Sequence, residues 1–171
     1  GAALFARRYG LREKPAVARF RSLDRNLRLG AGLGTEPGAT GPIEVAELCL
    51  RAEDFSRLFS PCACPFAEIF VTENEVNYLS FPERARAAIV LGSGYGFASL
   101  AGADWLRDSR LRYWGDLDSH GFAILDQFRA TFPEAESFLM DRETLLAHRE
   151  LWTSEPKPTR ASLSRLTPAE L

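Results

Sequence analysis

Residues 113–122 read YWGDLDSHGF. An apolar, strand-like run closes on Gly115, and two aspartates, Asp116 and Asp118, follow with one residue between them. Residues i and i+2 of an extended chain lie on one face, about 6–7 Å apart. Two carboxylates so placed repel each other unless a cation sits between them. The next residues, Ser119-His120-Gly121 before FAIL, read as the start of a helix that an aspartate could cap. Capping accounts comfortably for one acid, whereas a metal site accounts for both.

The chain around this stretch alternates between two periods. AEIFVTE (67–73) is a short apolar strand ending in Glu73, and NEVNYLSF is a brief helix or turn closed by Pro82. AAIVLGSGYG (87–96) is a second strand running into a Gly-rich turn. FASLAGADWLRD reads as an amphipathic helix with Phe97, Leu100, Ala101 and Trp105 on one side. LRYWGDLD is a third strand, and FAILDQFRATF a helix with Phe122, Leu125 and Phe128 at helical spacing. ESFLMD is a fourth strand, and RETLLAHRELW a helix capped by Asp141. Strands and helices alternating at these lengths predict an α/β fold with a mainly parallel, four-stranded sheet. Ligand sites in such sheets form beyond the carboxyl ends of the strands, which is where Glu73, Asp116 and Asp118 fall. Hard oxygen donors with no neighbouring His or Cys cluster favour Mg²⁺, or Mn²⁺, with water completing the shell.

Other residues at strand ends admit two readings each. Gly94 in GSGYG lets the backbone approach a phosphate closely, or serves a tight turn. His120 orients a phosphate or a water, or is a solvated residue at a helix start. Asp141 and Glu143 are candidates for outer-shell work around a metal, although capping is the simpler account of Asp141. His148 lies in the last helix and reads as structural.

The earlier part of the chain is less regular. Residues 30–42, GAGLGTEPGATGP, hold five Gly and two Pro and form a loop. GAGLG there has neither the preceding strand nor the following helix of a dinucleotide site. IEVAELCLRAEDFSRLF has mostly helical spacing, and SPCACP breaks the chain. Residues 1–66 are therefore expected to be a basic, partly strand and helix extension and linker on the core, 67–152 the core, and 153–171 an irregular Pro/Ser-rich tail. The opening GAALFARRYG reads as helix interior, so a fragment of a longer protein is expected.

The 171 residues suffice for one domain with a real core. No apolar run approaches the roughly 20 residues that span a bilayer, and no signal peptide opens the chain. Three cysteines do not make a disulfide framework, and CAC supplies too few ligands for a zinc site. A cytoplasmic location with reduced thiols is the expectation. Net charge is −2, but residues 1–30 carry eight basic and two acidic side chains. A basic arm bearing Arg7, Arg8, Arg12, Lys14, Arg19 and Arg21 suits a polyanion beside a metal site, or is simply a solvated surface.

The order strand-Glu73, strand-GSGYG, strand-GDLDSHG resembles the TOPRIM domain of topoisomerases, primases and some nucleases. DLDSHG is similar to the D-x-D-P-x-G form in the topoisomerase VI A subunit, with Ser119 in place of proline. FVTENEVNYLSFP, GSGYGF, YWGDLDSHGFAILDQFR and FPEAESFLMDRETLLAHRELW, with the earlier YGLREKP and ARFRSLD, resemble the carboxy-terminal half of the JetD nuclease family of bacterial Wadjet plasmid-defence systems. The resemblance spans most of residues 5–171 and is strongest over 69–152. It implies Glu73, Asp116 and Asp118 as catalytic metal ligands for Mg²⁺ or Mn²⁺, with Glu73 also a general acid or base. It further implies cleavage of double-stranded plasmid DNA beside an SMC-type, MukBEF-like motor in the bacterial cytoplasm, and leaves a homodimer open. Family members carry an amino-terminal arm and winged-helix region not seen in this sequence, and they continue past its last residue. Topoisomerase relatives cleave through a tyrosine on a winged-helix domain. Tyr9, Tyr78, Tyr95 and Tyr113 have no such context, which favours hydrolysis over transesterification.

Two other classes compete with a nuclease. A D-x-D phosphohydrolase would carry its motif after the first strand and continue it with Thr or Val, not with SHG after the third. A non-catalytic module docking on DNA or an SMC complex would need none of the three acids.

Overall fold

The computed structural model describes residues 8–10, 15–27, 45–59, 64–92 and 100–170. Six strands form one sheet: β1 (Val17–Ser22), β2 (Glu47–Arg51), β3 (Glu68–Thr72), β4 (Ala87–Gly92), β5 (Arg110–Trp114) and β6 (Glu136–Ser137). Their order is β2-β1-β4-β3-β5-β6. The pairs β4–β3, β3–β5 and β5–β6 are parallel, while β1 runs antiparallel to both β2 and β4. Among the described residues four helices accompany the sheet: α1 (Ala52–Phe55), α2 (Glu75–Ser80), α3 (Ser119–Thr131) and α4 (Arg142–Ala147). The result is a mixed α/β architecture of the Rossmann-like kind.

β3 and β4 occupy the middle because every residue of EIFVT and AAIVLG is buried. Strands covered on both faces read as continuous apolar runs. β1 and β5 alternate instead, and so divide the core into two layers. Ala18, Phe20, Leu111 and Tyr113 join the larger layer with Ile69, Val71 and Val90, under Leu125 and Phe128 of α3. Phe70, Ile89 and Leu91 face the smaller layer, where they meet Tyr78 of α2, Phe81 and the edge of Trp114. Trp105 anchors the larger layer against Phe20 and Phe55, and its indole N–H donates to the Phe55 carbonyl at 2.9 Å.

Four segments depart from the sequence-based expectation. Residues 47–51, expected to be helical, form edge strand β2, and Leu48 and Leu50 share one face against the larger layer. Their period of two is masked in sequence by the helical spacing of Phe55, Leu58 and Phe59 further on. The hydrogen bonds that settle the matter come from β1, some thirty residues earlier, with Arg19 opposite Cys49. The sheet thus gains two antiparallel strands from the amino-terminal extension. In the expected helix near 97–108, residues 93–99 lie outside the described residues. Residues 100–102 form a turn and Asp104–Asp108 a 3₁₀ turn, leaving Ala101 exposed while Leu100 and Trp105 are buried.

The fourth expected strand shrinks to Glu136–Ser137, because Leu139 takes φ +55°, a left-handed conformation that no strand accommodates. α4 ends at Ala147, so His148 is an exposed residue at its carboxyl end rather than within it. Among the described residues no helix or strand follows the 3₁₀ turn at Arg149–Leu151. The tail is nonetheless tied down along α3. Arg165 donates to Asp126 at 2.8 Å, and the buried Arg129 guanidinium makes a two-pronged pair with Glu170 at 2.7 and 2.8 Å.

Candidate functional site

β3 and β5 are hydrogen-bonded neighbours running the same way, with Thr72 level with Trp114. The residues that follow each strand therefore emerge side by side, one inter-strand spacing of about 4.8 Å apart. Glu73 follows β3 directly, in a tight turn. The Asn74 N–H donates to Thr72 Oγ1 at 3.1 Å, and the Asn74 side chain caps α2 by accepting from the Val76 and Asn77 amides. Gly115, Asp116 and Asp118 follow β5. Together with Asn74, Tyr113, His120, Gly121 and Ile124 they line a cleft of about 260 Å³.

Two glycines make this geometry, each by letting atoms approach where a Cβ would collide. A Cβ at Gly121 would lie 2.1 Å from the Asp116 carbonyl oxygen. The first turn of α3 thus rests directly on the Asp116 backbone. At Gly115 a Cβ would meet Tyr113 Oη at 2.5 Å, because the Tyr113 ring folds under the strand end. The G-D-L-D-S-H-G stretch is a tight corner with a fixed outline.

Asp118 is the N-cap of α3, and its Oδ1 accepts from the Gly121 amide at 2.7 Å. The capping role anticipated for one acid falls on this residue. Asp116 is exposed at the rim. Burial pushes the Glu73 carboxyl above the ordinary glutamate range. The Tyr113 hydroxyl is pushed up first by burial and then by the negative charges of Glu73, Asp116 and Asp118. All three carboxylates line the same cleft as Tyr113. Among the described residues no Lys or Arg lines it.

The donor chemistry suits a hard divalent cation, since every strand-end donor is a carboxylate oxygen. Among the described residues no three His, Cys, Asp or Glu side chains are gathered tightly enough to hold an ion as they stand. The cleft is a partial set rather than a closed cage. Mg²⁺ commonly takes one or two protein carboxylates and fills the rest with water and phosphate oxygens, and by that measure the residues fit.

The remaining candidates are distributed unevenly. His120 lines the cleft, and its Nε2–H donates to the Lys157 carbonyl at 2.9 Å. Asp141 caps α4 by accepting from the Thr144 amide at 2.7 Å, and Glu143 is exposed in the first turn. Neither lines the cleft. Gly94, Arg7, Arg12 and Lys14 lie outside the described residues, as does Cys62. Cys49 and Cys64 are free thiols. Arg8 is exposed. Arg19 is committed to Glu47 and Glu75 at 2.7 and 2.5 Å and stacks on Tyr78. Arg21 donates to the Tyr78 and Phe81 carbonyls. Both arginines thus already serve the fold.

Sequence reasoning passed over Tyr113, Gly121 and Glu155. The pair of glycines bracketing DLDSH was a usable signal for a close approach. Glu155, in a Pro/Ser-rich tail 36 residues beyond Ser119, carried none.

Among the described residues no helix is long and apolar enough to cross a membrane. Residues 10–171 match the model of the family described as "Wadjet protein JetD, C-terminal". No curated protein matches the chain.

Proposed function

The chain belongs to the family of the JetD carboxy-terminal region, a subunit of Wadjet defence systems, and from that premise we propose that its acidic cleft is a metal-dependent nuclease centre. The reading is a TOPRIM-type DNA endonuclease using Mg²⁺ or Mn²⁺ to hydrolyse phosphodiester bonds of plasmid DNA, beside an SMC-type motor. One observation carries it. Three carboxylates from the ends of two adjacent parallel strands line one cleft, in which the described residues place no Lys or Arg.

Such a cleft repels a phosphodiester unless its charge is neutralised, which fits a site whose ligand includes a cation. Glu73 and Asp116, at the mouth, are the residues that would hold the ion, with the Asp118 oxygen not engaged by Gly121 as third donor. A bound divalent ion supplies Lewis acidity at a phosphate oxygen and a more acidic water. Glu73, beside the ion it would hold, is also placed to pass a proton at the leaving or attacking oxygen. The corner at Gly115 and Gly121 fixes the other two acids relative to it.

The test is plasmid cleavage by the purified protein with Mg²⁺, with Mn²⁺ and with chelator. Nicking or linearisation is expected only with the metals, and Asp116→Ala is expected to abolish it. Cleavage undiminished in Asp116→Ala removes the metal assignment. A second reading, a non-catalytic module docking on DNA or an SMC complex, is favoured by the loose spacing of the acids. It predicts binding to the motor complex that survives loss of all three acids, with no cleavage by the wild type.

A further inference from the structure

The tail crosses the start of α3 at the two residues that follow Asp118. Glu155 Oε1 accepts from the Ser119 hydroxyl at 2.7 Å, and Oε2 accepts from the Ser119 amide at 3.1 Å. The same hydroxyl accepts from the Thr159 amide at 2.7 Å. One residue on, His120 Nε2 donates to the Lys157 carbonyl at 2.9 Å and lies 3.6 Å from Glu155 Oε1. Two segments more than 35 residues apart are thus joined by four hydrogen bonds at one point.

The geometry points to a clasp: we propose that Glu155–Thr159 sets the first turn of α3, and through it the Asp116–Asp118 corner, with Glu155 as the positioning residue. The proposal rests on reading that corner as the working face of the cleft. The first amides of a helix have no partner within it. Asp118 satisfies the Gly121 amide and Glu155 the Ser119 amide, so two carboxylates hold the turn. The turn also has no slack, since the Asp116 carbonyl fills the space that a Cβ of residue 121 would need. Rotation of Ser119 and His120 therefore moves the Asp116 backbone.

The clasp depends on serine at 119. Proline there, as in the D-x-D-P-x-G form, has neither the amide hydrogen nor the hydroxyl that Glu155 grips. Further along, Asp126 and Arg129 hold Arg165 and Glu170, so the tail runs beside α3 from its first turn to its last.

The experiment combines amide hydrogen exchange with Mn²⁺ titration followed by electron paramagnetic resonance, on the full chain. Glu155→Ala is expected to speed exchange at residues 118–122 by about tenfold or more, the effect of losing charge-assisted bonds. Exchange in β3 and β4 stays at wild-type rates. Glu155→Ala is also expected to weaken Mn²⁺ binding about tenfold, the usual size of an outer-shell effect. Glu155→Gln, which keeps one acceptor oxygen for Ser119 but not the charge, is expected to restore part of both. Should Glu155→Ala not fold, Thr159→Pro removes one bond of the clasp and is expected to move both readouts the same way. Unchanged exchange overturns the clasp. Faster exchange with unaltered Mn²⁺ affinity overturns its positioning role. A wild-type protein that binds no Mn²⁺ overturns the metal reading of the cleft, and with it that role, while exchange still decides whether the clasp exists.

Discussion

A methyl group at residue 121 would sit 2.1 Å from the Asp116 carbonyl oxygen, and the obstacle is backbone, which cannot swing aside. Gly121→Ala is expected to cost about 1–3 kcal/mol, the range for forced overpacking, and to displace Asp116. Gly102 is the control, since its nearest neighbour to a new Cβ is Ser56 Cβ at an ordinary 3.6 Å. Gly102→Ala is expected to stay within about 0.5 kcal/mol of wild type. Urea denaturation of the three proteins compares them directly. Asp118 caps α3, and the proposed function gives it a second role, as a metal ligand, that substitution can separate from the first. Asparagine caps a helix as well as aspartate does, so Asp118→Asn is expected to keep wild-type stability while losing metal-dependent cleavage. Asp118→Ala is expected to lose about 1 kcal/mol as well. A thermal melt beside a cleavage assay tells the charge from the cap.

At the scale of elements, caps were the features most readable in the sequence. Asp118 and Asp141 each precede an expected helix and each accept from its first amides, and Asn74, which the sequence reading did not single out, does the same for α2. The signal is local, because a short polar side chain reaches only its own next turn. Asp141→Ala is accordingly expected to cost about 1 kcal/mol and leave cleavage intact, since Asp141 lies outside the cleft. A melt and a cleavage assay of that variant check both halves. Strand β2 was hidden for the opposite reason. An edge strand with polar alternation is defined by its partner, and Glu47–Arg51 finds its partner in β1, some thirty residues earlier in the sequence. Leu139 illustrates a third case, a left-handed residue of a type that gives no warning of it.

The whole molecule is closed by its tail. Glu170 is almost fully buried against Arg129. Burial alone would raise its carboxyl, but bonds from Arg129, from Ser137 and from the Thr167 amide outweigh that and hold it at about 2. A carboxyl depressed in the folded state contributes stability above its ordinary value near 4.5, and that contribution is lost as pH falls toward 2. Glu170→Gln leaves Arg129 buried without its counter-charge and is expected to cost about 3–5 kcal/mol near neutral pH. The gap between variant and wild type should narrow between pH 4.5 and pH 2. Urea midpoints across that range measure it, and a gap independent of pH would show that Glu170 carries no charge in the fold.

By itself the sequence determined the alternating order of the core from residue 67 onward, the caps, and the placing of Glu73, Asp116 and Asp118 at strand ends. Each of these is written in neighbours a few residues apart, through period and turn chemistry. Only the tertiary structure decided that β3 and β5 lie side by side, that β1 and β2 complete the sheet, and that Tyr113 sits beneath the acids. It alone brought Glu155 to Ser119. Those are long-range juxtapositions, selected by burial and by hydrogen bonds between distant segments, and no local pattern encodes them.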